Sequence, residues 1–444
     1  MFYYIIKKSI KNCIFTKLEL NFNLSEITLI DRKGIRMFDQ TIAPYGTDDP
    51  EKLMDKFYKA GNEMLLTLRN YITNPDNRKK ARTWGSIEAA QMVGVSNPTF
   101  RKLLETHTNI PGIVIETNEG NRRIKKFTLQ AINILREHAN TKYNRPIGSK
   151  PLVIAVSNLK GGVGKTQTAV DLGKKIAISG LKALLLDFDG QGTATLLSSG
   201  LIPDLELCYE DTITNSLVSD PEKIRDIILK THFDGFDIIP ANLAIQDCDL
   251  LLPNVNENNQ DTLGSPFIRL SKALKNIKDD YDVILIDCGP NLGILTLNAI
   301  IACDGMIIPI PPSMGDYSSF IMYTASLKNL FRELKDKKLE YLRILISKHS
   351  GNNEAMQMEN MMREQFGRYI LSNHMCDTIE VSKAANEIGT IYDVSKPRGS
   401  REAYRRAVQH LDDVNMEIIN HFKDIWGRQA QKNVTTEMEE VVNG

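Results

Sequence analysis

The segment KGGVGKT at residues 160–166 places two lysines and a threonine around three glycines, directly after the apolar run LVIAV. Glycines allow successive backbone N–H groups to point at one anion, and a helix that begins near Gly164 adds the positive end of its dipole. In phosphate loops of this kind a lysine reaches the β and γ phosphates, and the hydroxyl beside it holds magnesium. We therefore expect a site for a nucleoside triphosphate and Mg²⁺ formed by Lys160, Gly161, Gly162, Val163, Gly164, Lys165, Thr166 and Gln167.

Three aspartates at the ends of two other apolar runs supply carboxylates of the kind that phosphoryl transfer needs. Asp187 and Asp189 end the run ALLLDFD, and Asp287 lies near the end of YDVILIDC. Carboxylates beside a phosphate loop can hold magnesium and can orient or deprotonate an attacking water. The alternative is that the first two acids only cap a helix. We expect the metal site to contain Thr166, Asp187 and Asp287.

Six apolar runs predict the strands that must bring these motifs together. They are LVIAVS from residue 152, ALLLDFD from 183, FDIIPAN from 236, YDVILIDC from 281, DGMIIPIP from 304 and YLRILIS from 341. Continuous apolar strands that alternate with helical segments indicate a parallel sheet covered on both faces, with ligands beyond the carboxyl ends of its strands. We predict an α/β, doubly wound, mostly parallel P-loop domain over residues 151–422, followed by a tail over residues 423–444.

Lys160 separates this loop from the general phosphate-loop pattern, which requires glycine where this chain has Asn158 or Leu159. A lysine at each end of the loop resembles the deviant Walker A motif of the ParA/MinD ATPases, in which the first lysine crosses a dimer interface to the partner's nucleotide. The alternative is an ordinary exposed lysine. DFDGQG resembles the Walker A′ motif of that family, D-x-D-P-Q-G, with Gly190 loosening the turn in place of proline, and VILIDC resembles its Walker B motif.

The resemblance to ParA implies roles for particular residues, with ATP and Mg²⁺ as the ligands. Lys160, Lys165 and Asp189 would be catalytic, Asp189 acting on the catalytic water. Asp187 would support the site near magnesium, which Asp287 would hold through water. The segment after the fifth predicted strand would lie near the adenine, which gives as base-pocket candidates Pro309, Pro311, Pro312 and Met314.

The first 150 residues carry a positive charge that the net charge of zero conceals. They contain 25 Lys and Arg against 15 Asp and Glu, and the rest of the chain carries the opposite excess. A basic segment ahead of an acidic body indicates a nucleic-acid-binding domain attached to an enzyme-like core. We expect residues 1–49 to form an extension, ordered or partly disordered, and residues 50–75 an amphipathic helix. That helix either helps to make a dimer, as the resemblance implies, or packs within its own chain.

Residues 76–142 carry the pattern of a winged helix-turn-helix. Ser86 can cap a first helix, Gly94 supplies the turn, and Ser96 caps a second helix that buries Phe100. The second helix would enter the major groove while the basic hairpin after it lies along the phosphates. The alternative is a helical hairpin with a solvated basic loop. The residues expected to contact DNA are Thr99, Arg101, Lys102, Arg122, Arg123, Lys125 and Lys126.

Two further segments complete the domain plan. Residues 139–150, polar with Pro and Gly, are predicted to be a linker. Residues 380–419 resemble the carboxy-terminal signature of ParA proteins, whose basic residues bind DNA without sequence preference. Its basic cluster, expected to bind DNA, is here named the arginine patch: Arg398, Arg401, Arg405 and Arg406. The alternative is a solvated helix in which these arginines pair with Glu402, Asp412 and Asp413.

Several other classes are disfavoured by the sequence. The six cysteines are scattered without metal-ligand spacing, which indicates reduced thiols and argues against a metal-cluster reductase. No apolar run is long enough to span a bilayer, and the first residues lack the order of an export signal. The final TTEMEEVVNG is too acidic for a MinD-like membrane anchor. We expect a cytoplasmic, nucleoid-associated protein with no membrane partner.

Together these features resemble a ParA-type partition ATPase of the long subclass with an N-terminal helix-turn-helix. The resemblance implies plasmid or chromosome segregation, weak intrinsic ATP hydrolysis, and an ATP-dependent homodimer, alone or in higher-order assemblies on DNA. It also implies non-specific DNA binding, stimulation by a ParB-like centromere-binding protein, and specific operator binding with self-repression. The alternative is a transcriptional repressor that uses the nucleotide only as a signal.

Overall fold

The computed structural model describes residues 49–73, 81–117, 121–253, 264–395 and 399–443. The chain divides into two compact units, residues 1–78 and residues 79–444. In the described part of the first unit the chain forms one helix, α1 (Pro50–Thr73), where the apolar periodicity predicts it. Glu51 lies in its first turn, where a carboxylate interacts favourably with the helix dipole. The extension predicted before α1 lies almost entirely outside the described residues.

The second unit begins with a small antiparallel sheet and three helices. The sheet has the order β1-β3-β2, and its strands are β1 (Trp84–Gly85), β2 (Ile113–Thr117) and β3 (Arg123–Phe127). The helices are α2 (Ser86–Val93), α3 (Asn97–Thr106) and α4 (Leu129–His138). Gly94 ends α2 in the left-handed region, with φ of 80°, and the Thr99 N–H donates to the Ser96 side chain at the start of α3. Helix α2 begins one residue earlier than predicted, so Gly85 rather than Ser86 is its N-cap residue.

A pair of aromatic rings joins the helices of this small domain to its sheet. Phe100 of α3 and Phe127 of β3 are both buried, with ring centroids 5.2 Å apart in an edge-to-face arrangement. Burial of each ring contributes roughly 1.5–3 kcal/mol to the stability of the domain.

Seven strands form the central sheet in the order β10-β9-β4-β8-β5-β7-β6. They are β4 (Leu152–Val156), β5 (Ala183–Phe188), β6 (Leu229–Lys230), β7 (Phe236–Ile239), β8 (Val283–Cys288), β9 (Gly305–Ile310) and β10 (Tyr341–Ile346). All neighbours are parallel except β6, which runs antiparallel to β7 at one edge. All six strands predicted from the apolar runs are present, so the predicted mostly parallel sheet is confirmed. The two-residue strand β6 is too short to leave a pattern in the sequence.

Each face of the sheet packs against its own apolar core. In β4, Leu152, Ile154 and Val156 belong to one core and Val153 and Ala155 to the other, because successive side chains of a strand point to opposite faces. The helices of this domain are α5 (Lys165–Ile178), α6 (Thr193–Ser199), α7 (Pro203–Glu206), α8 (Thr214–Val218), α9 (Cys248–Leu251), α10 (Arg269–Leu274), α11 (Ile294–Ala302), α12 (Met314–Glu333), α13 (Asn353–Phe366), α14 (Ile379–Asn386) and α15 (Arg401–Asn443). Within the described ranges, no helix is both long and apolar enough to cross a membrane.

Residues 139–150, predicted to be a linker, are held against the sheet domain. Arg145 Nε lies 3.3 Å from Asp282 Oδ1, and Trp426 Nε1 donates to the Lys150 carbonyl at 3.0 Å. The Tyr143 ring also stacks on Trp426. Because these partners are far away in sequence, the segment is an ordered connection rather than a free linker.

Arg136 of α4 joins the small domain to the sheet domain. The side chain is buried and donates to the Met92 carbonyl at 2.9 Å and to the Ile178 carbonyl, at the end of α5, at 2.8 Å. Burial lowers the pKa of Arg136 to about 10, so the guanidinium remains charged at neutral pH. The small domain is therefore packed on the same body as the phosphate-loop helix.

The boundary predicted at residue 422 falls inside α15. Phe422, Ile425 and Trp426 are all buried, so the helix packs on the core on both sides of that position. Apolar packing therefore continues to Trp426, past the predicted start of the tail at residue 423.

Candidate nucleotide site and basic surfaces

The glycine-rich loop between β4 and α5 has the backbone conformation of an anion-binding site. Gly162 and Gly164 have φ of 74° and 91°, a region that side-chain-bearing residues rarely adopt. Helix α5 begins directly after Gly164, so its unpaired N–H groups and its positive dipole end face the loop. A Cβ built on Gly161 or Gly162 would meet no heavy atom within 4 Å, which leaves this side of the loop open to a ligand.

Two polar residues, Asn158 after β4 and Ser347 after β10, hold the loop in place. The buried Asn158 donates through Nδ2 to the Pro309 carbonyl at 2.9 Å and accepts from the Lys160 N–H at 3.1 Å. Ser347, after β10, donates through Oγ to the Val163 carbonyl at 2.7 Å. The sequence patterns did not assign a role to Asn158 or Ser347. Counted back from Lys165, the general pattern requires glycine at residue 159, so it gave no signal for Asn158.

Lys165 lies inside the loop. Its side chain is buried, and Nζ donates to the Lys160 carbonyl at 2.9 Å. Burial lowers the pKa of Lys165, while the carboxylates of Asp287 and Asp189 act in the opposite direction. An ammonium group held between a phosphate loop and two carboxylates suits a position beside the phosphates of a nucleotide.

Asp187 is a buried residue whose carboxylate organises the Walker A′ turn. Its Oδ2 accepts from the Thr195 N–H and hydroxyl at 2.9 and 2.7 Å, and its Oδ1 accepts from the Asp189 N–H at 3.1 Å. Burial raises the pKa of Asp187 to about 6 in spite of these hydrogen bonds. Since both oxygens already accept hydrogen bonds from the protein, the geometry favours a positioning role over direct contact with a metal.

Asp287 of β8 differs from Asp187 in the hydrogen bonds that its carboxylate accepts. Both of its oxygens are buried, and neither has a hydrogen-bond partner among the described residues. Burial and then the charge of Asp187 raise the pKa of Asp287 well above its ordinary value, while Thr166 and Lys165 act against them. A buried carboxylate without partners is costly unless a cation or bound water satisfies it. Asp287 and the Thr166 hydroxyl therefore fit a hydrated magnesium ion.

The turn after β5 carries Asp189 beside a cavity of about 180 Å³. The Gln191 N–H donates to Asp189 Oδ1 at 3.0 Å, which leaves Oδ2 of this half-buried residue for other contacts. A Cβ on Gly190 would lie 3.0 Å from Gln246 Nε2. Glycine in place of proline therefore lets Gln246 pack against the turn, whereas we expected it to loosen the turn.

Some residues of the predicted nucleotide site are placed differently from the expectation. The Gln167 side chain donates to Asp171 Oδ2 at 2.6 Å, so any contact with a nucleotide would use its backbone N–H. Pro309 is a buried residue of β9 and Pro312 is also buried, whereas Met314 is 64% exposed. Pro311, between them, is half-buried. The base-pocket candidates therefore include core residues as well as surface residues.

Lys160 is paired within its own chain. Its Nζ lies 2.8 Å from Oδ1 of Asp316, near the start of α12, and the lysine side chain is 40% exposed. The motif resemblance predicts a contact with a second subunit and gave no role to Asp316.

The residues predicted to contact DNA are mostly exposed. Thr99, Arg101 and Lys102 are exposed on α3, and of the basic residues on and beside β3 only Lys126 is half-buried, while Arg122, Arg123 and Lys125 are exposed. Arg401, Arg405 and Arg406 are exposed in the first turns of α15, and Arg398 lies outside the described residues. In the described ranges none of these three arginines forms an ion pair. Of the expected partners, Asp412 lies 2.7 Å from Lys175 Nζ and Asp413 accepts a hydrogen bond from Gln409.

Glu359 of α13 brings together three other titratable side chains. Its carboxylate lies 3.0 Å from His349 Nε2 and 3.2 Å from His374 Nδ1, and Arg363 Nε donates to it at 2.8 Å. The Gly351 N–H donates to His349 Nδ1 at 3.0 Å. Metal-bound histidines usually donate from their second nitrogen, and the guanidinium adds a positive charge, so the cluster fits an ion-pair network that ties α13 to the segment after β10.

Comparisons with known proteins agree with the fold and the motifs. A family profile described as an AAA domain matches residues 152–344. A putative replication protein A from Sinorhizobium fredii is 33% identical over 383 residues, 82% of this chain and 92% of the relative. Protein SopA of Escherichia coli K12 is 32% identical over 376 residues, 83% of this chain and 96% of the relative. A solved structure described as a partition protein has the same fold, with a TM-score of 0.59 at 20% identity, over 84% of this chain and 99% of that one.

Proposed function

Because the chain belongs to the ParA/MinD family of P-loop ATPases, we propose that it is a DNA-partition ATPase that dimerises on ATP and binds DNA as a dimer. The proposal extends to the segregation of a plasmid or chromosome. The observation that carries the proposal is Lys160, a lysine at the start of the phosphate loop in addition to Lys165 inside it. The Lys165 ammonium group contacts the Lys160 carbonyl.

The reaction is hydrolysis of ATP to ADP and phosphate. The loop N–H groups and Lys165 would hold the β and γ phosphates, and Thr166 and Asp287 would hold Mg²⁺. When bound, a magnesium ion would supply positive charge that neutralises the phosphates during hydrolysis. Asp189 orients the attacking water and accepts its proton, while Asp187 fixes the turn that carries Asp189.

Dimerisation couples this site to DNA. In the ATP state Lys160 of each subunit reaches the partner's nucleotide, and the paired subunits present two arginine patches to DNA phosphates. The exposure of Arg401, Arg405 and Arg406 supports this role, as does the absence of ion pairs to them in the described ranges. Contacts with phosphates alone give sequence-independent binding to the nucleoid in the cytoplasm. ATP shifts the protein towards this state only by binding the dimer more tightly than the monomer.

The small domain adds sequence-specific binding. Exposed Arg101 and Lys102 on α3, followed by the basic strand β3, support a winged helix-turn-helix that binds an operator and represses the protein's own operon. A ParB-like protein bound to a centromere site stimulates hydrolysis and so releases the dimer from DNA. Helix α1, with exposed Met54 and Phe57, is proposed to contribute to the dimer.

Measurement of ATP turnover tests the proposal. Wild-type protein should hydrolyse ATP slowly alone and faster with non-specific DNA and the partner, and sedimentation should show an ATP-dependent dimer. A protein that binds ATP and operator DNA, but never hydrolyses ATP above background, would instead be a nucleotide-sensing repressor.

A further inference from the structure

Lys160 forms an ion pair with Asp316 of its own subunit. Its Nζ lies 2.8 Å from Asp316 Oδ1, and the Asp316 side chain is only 14% exposed. The lysine that the proposed function assigns to a second subunit is therefore held, in the monomer, over the start of α12.

Asp316 is fixed in position by the N-terminal cap of α12. Its N–H donates to Ser313 Oγ at 3.2 Å, and the Ser313 hydroxyl donates to Asp316 Oδ2 at 2.5 Å. These contacts use one carboxylate oxygen and leave Oδ1 for Lys160. A carboxylate here also interacts favourably with the positive end of the helix dipole.

The same position is unfavourable for a lysine without Asp316. The ammonium group lies 3.6 Å from where a Cβ on Gly315 would be, so it is beside the first turn of α12. A cation at a helix N-terminus is repelled by the dipole. The carboxylate of Asp316 therefore accounts for the presence of Lys160 at this site.

The backbone of Lys160 is anchored independently of its side chain. Its N–H donates to Asn158 Oδ1 at 3.1 Å, and its carbonyl accepts from Lys165 Nζ at 2.9 Å. The side chain can therefore exchange partners without rearrangement of the loop. The segment from Pro311 to Met314, proposed to lie near the base, leads directly into α12 and places this exchange beside the nucleotide.

We infer that Asp316 restrains Lys160 in the monomer, so that transfer of Lys160 from Asp316 to the partner subunit's nucleotide is a required step of dimerisation. The inference rests on the proposed cross-subunit role of Lys160 and assigns Asp316 as a positioning residue. A partly exposed ion pair typically shifts an equilibrium by about 1.5- to 5-fold, and each dimer breaks two such pairs. Release of the restraint should therefore favour the dimer by about 2- to 25-fold.

The first test measures Lys160 directly in the monomer, by the rate at which an amine-acylating reagent modifies it. We expect Asp316→Asn to raise this rate at least about twofold relative to exposed Lys328 on the same helix, and Asp316→Glu to leave it near the wild-type rate. Ser313→Ala removes the cap hydroxyl but keeps the carboxylate, so it should have a smaller effect than Asp316→Asn. Equal rates in wild type and Asp316→Asn would overturn the inference.

The second test measures the dimer by sedimentation at a series of protein concentrations with a non-hydrolysable ATP analogue. Asp316→Asn should lower the dissociation constant, Glu333→Gln at the other end of α12 should leave it unchanged, and Asp316→Asn should not restore a dimer in a Lys160→Ala background. Suppose that Asp316→Asn weakens the dimer or leaves it unchanged, and that Lys160→Ala abolishes it. The inferred restraint of Lys160 by Asp316 is then wrong, and the proposed function stands. If Lys160→Ala leaves the dimer intact, the proposed cross-subunit role itself is wrong. Thermal unfolding of each variant shows that the native fold is kept.

Discussion

Asp187 on β5 lies directly opposite Asp287 on the neighbouring parallel strand β8, and both carboxylates are fully buried. The two differ in their hydrogen bonds. Asp187 accepts three from the protein, and Asp287 accepts none from the described residues. The two adjacent carboxylates therefore have different roles. Asp187 fixes the Walker A′ turn, and Asp287 has its oxygens available to a cation.

Asp287→Asn should raise the stability of the protein and lower its activity. Without ATP or Mg²⁺, the substitution removes a buried carboxyl group whose pKa is raised by burial, so the free energy of unfolding at neutral pH should rise by about 1–3 kcal/mol. Magnesium-dependent hydrolysis should fall by about 100-fold or more, because a ligand of the metal is lost. Urea unfolding and turnover measure the two effects, with the exposed Asp279→Asn as the matched control. A large loss of stability with normal turnover would contradict this assignment.

The two lysines of the loop should give different defects. Lys165→Ala should abolish nucleotide binding by the monomer, because its buried ammonium group lies inside the loop, against the Lys160 carbonyl. Lys160→Ala should retain monomer binding within about threefold while ATP-dependent dimerisation and turnover are lost, because Lys160 acts across the subunit interface. Fluorescent-nucleotide titration and sedimentation distinguish these outcomes.

Lys182→Ala, an exposed lysine just before β5, is the control for charge at a distance from the loop. Identical behaviour of the two loop variants in both assays would show that Lys160 has no separate role.

The apolar runs were sufficient to predict six of the seven strands of the central sheet. Asp187 and Asp287 each follow a continuous apolar run, and a parallel sheet brings the carboxyl ends of such runs to one edge. The periodicity of α1 and the Ser96 cap are equally local, and both were predicted correctly. In each case the residues that determine the feature lie within one element.

Contacts between distant segments could not be read from the sequence. The hydrogen bond from Ser347 to Val163 joins positions 184 residues apart, and nothing around YLRILIS marks that serine. Gln167 was assigned from its place in the motif, yet its side chain turns towards Asp171 because residues four apart share a face of a helix. The partner of Lys160 was missed for the same reason, since Asp316 reads as an ordinary helix cap.

Replacement of two arginines should reduce the salt dependence of DNA binding as well as the affinity. Arg401 and Arg405 are four apart on α15 and both exposed, so each can neutralise one phosphate per subunit. The double substitution to Ala should reduce the slope of log K against log salt by about 1.8 per subunit, with about tenfold or greater loss of affinity at 0.1 M salt. Fluorescence anisotropy with non-specific duplex DNA and ATP measures both quantities.

The exposed residues Arg332 and Arg428 provide a control with the same loss of charge. Their double substitution should change the slope by less than half as much. A wild-type slope in the Arg401 and Arg405 variant would support the alternative of a solvated basic helix.

Asp171 of α5 should make the protein less stable as the pH rises. Its carboxylate is fully buried near Lys174 and Asp393, and burial raises its pKa to about 7 despite a hydrogen bond from Gln167. Between about pH 4, where the unfolded carboxyl group titrates, and pH 7, the folded state binds one more proton at this site than the unfolded state. The contribution of Asp171 to the free energy of unfolding therefore falls across that window and stays low above it.

Asp171→Asn removes this titration. It keeps the shape of the side chain and an oxygen that can accept the hydrogen bond from Gln167. Relative to wild type, the variant should gain about 2–4 kcal/mol in free energy of unfolding between pH 4 and pH 8, because the shift of about three pKa units disappears. Urea unfolding at several pH values measures the difference, and Asp220→Asn, a half-buried helix cap away from this network, is the control. A constant difference between variant and wild type across the window would mean that Asp171 is charged in the folded protein. Lys174, which is fully buried 2.6 Å from Asp393, would then be the group that compensates it.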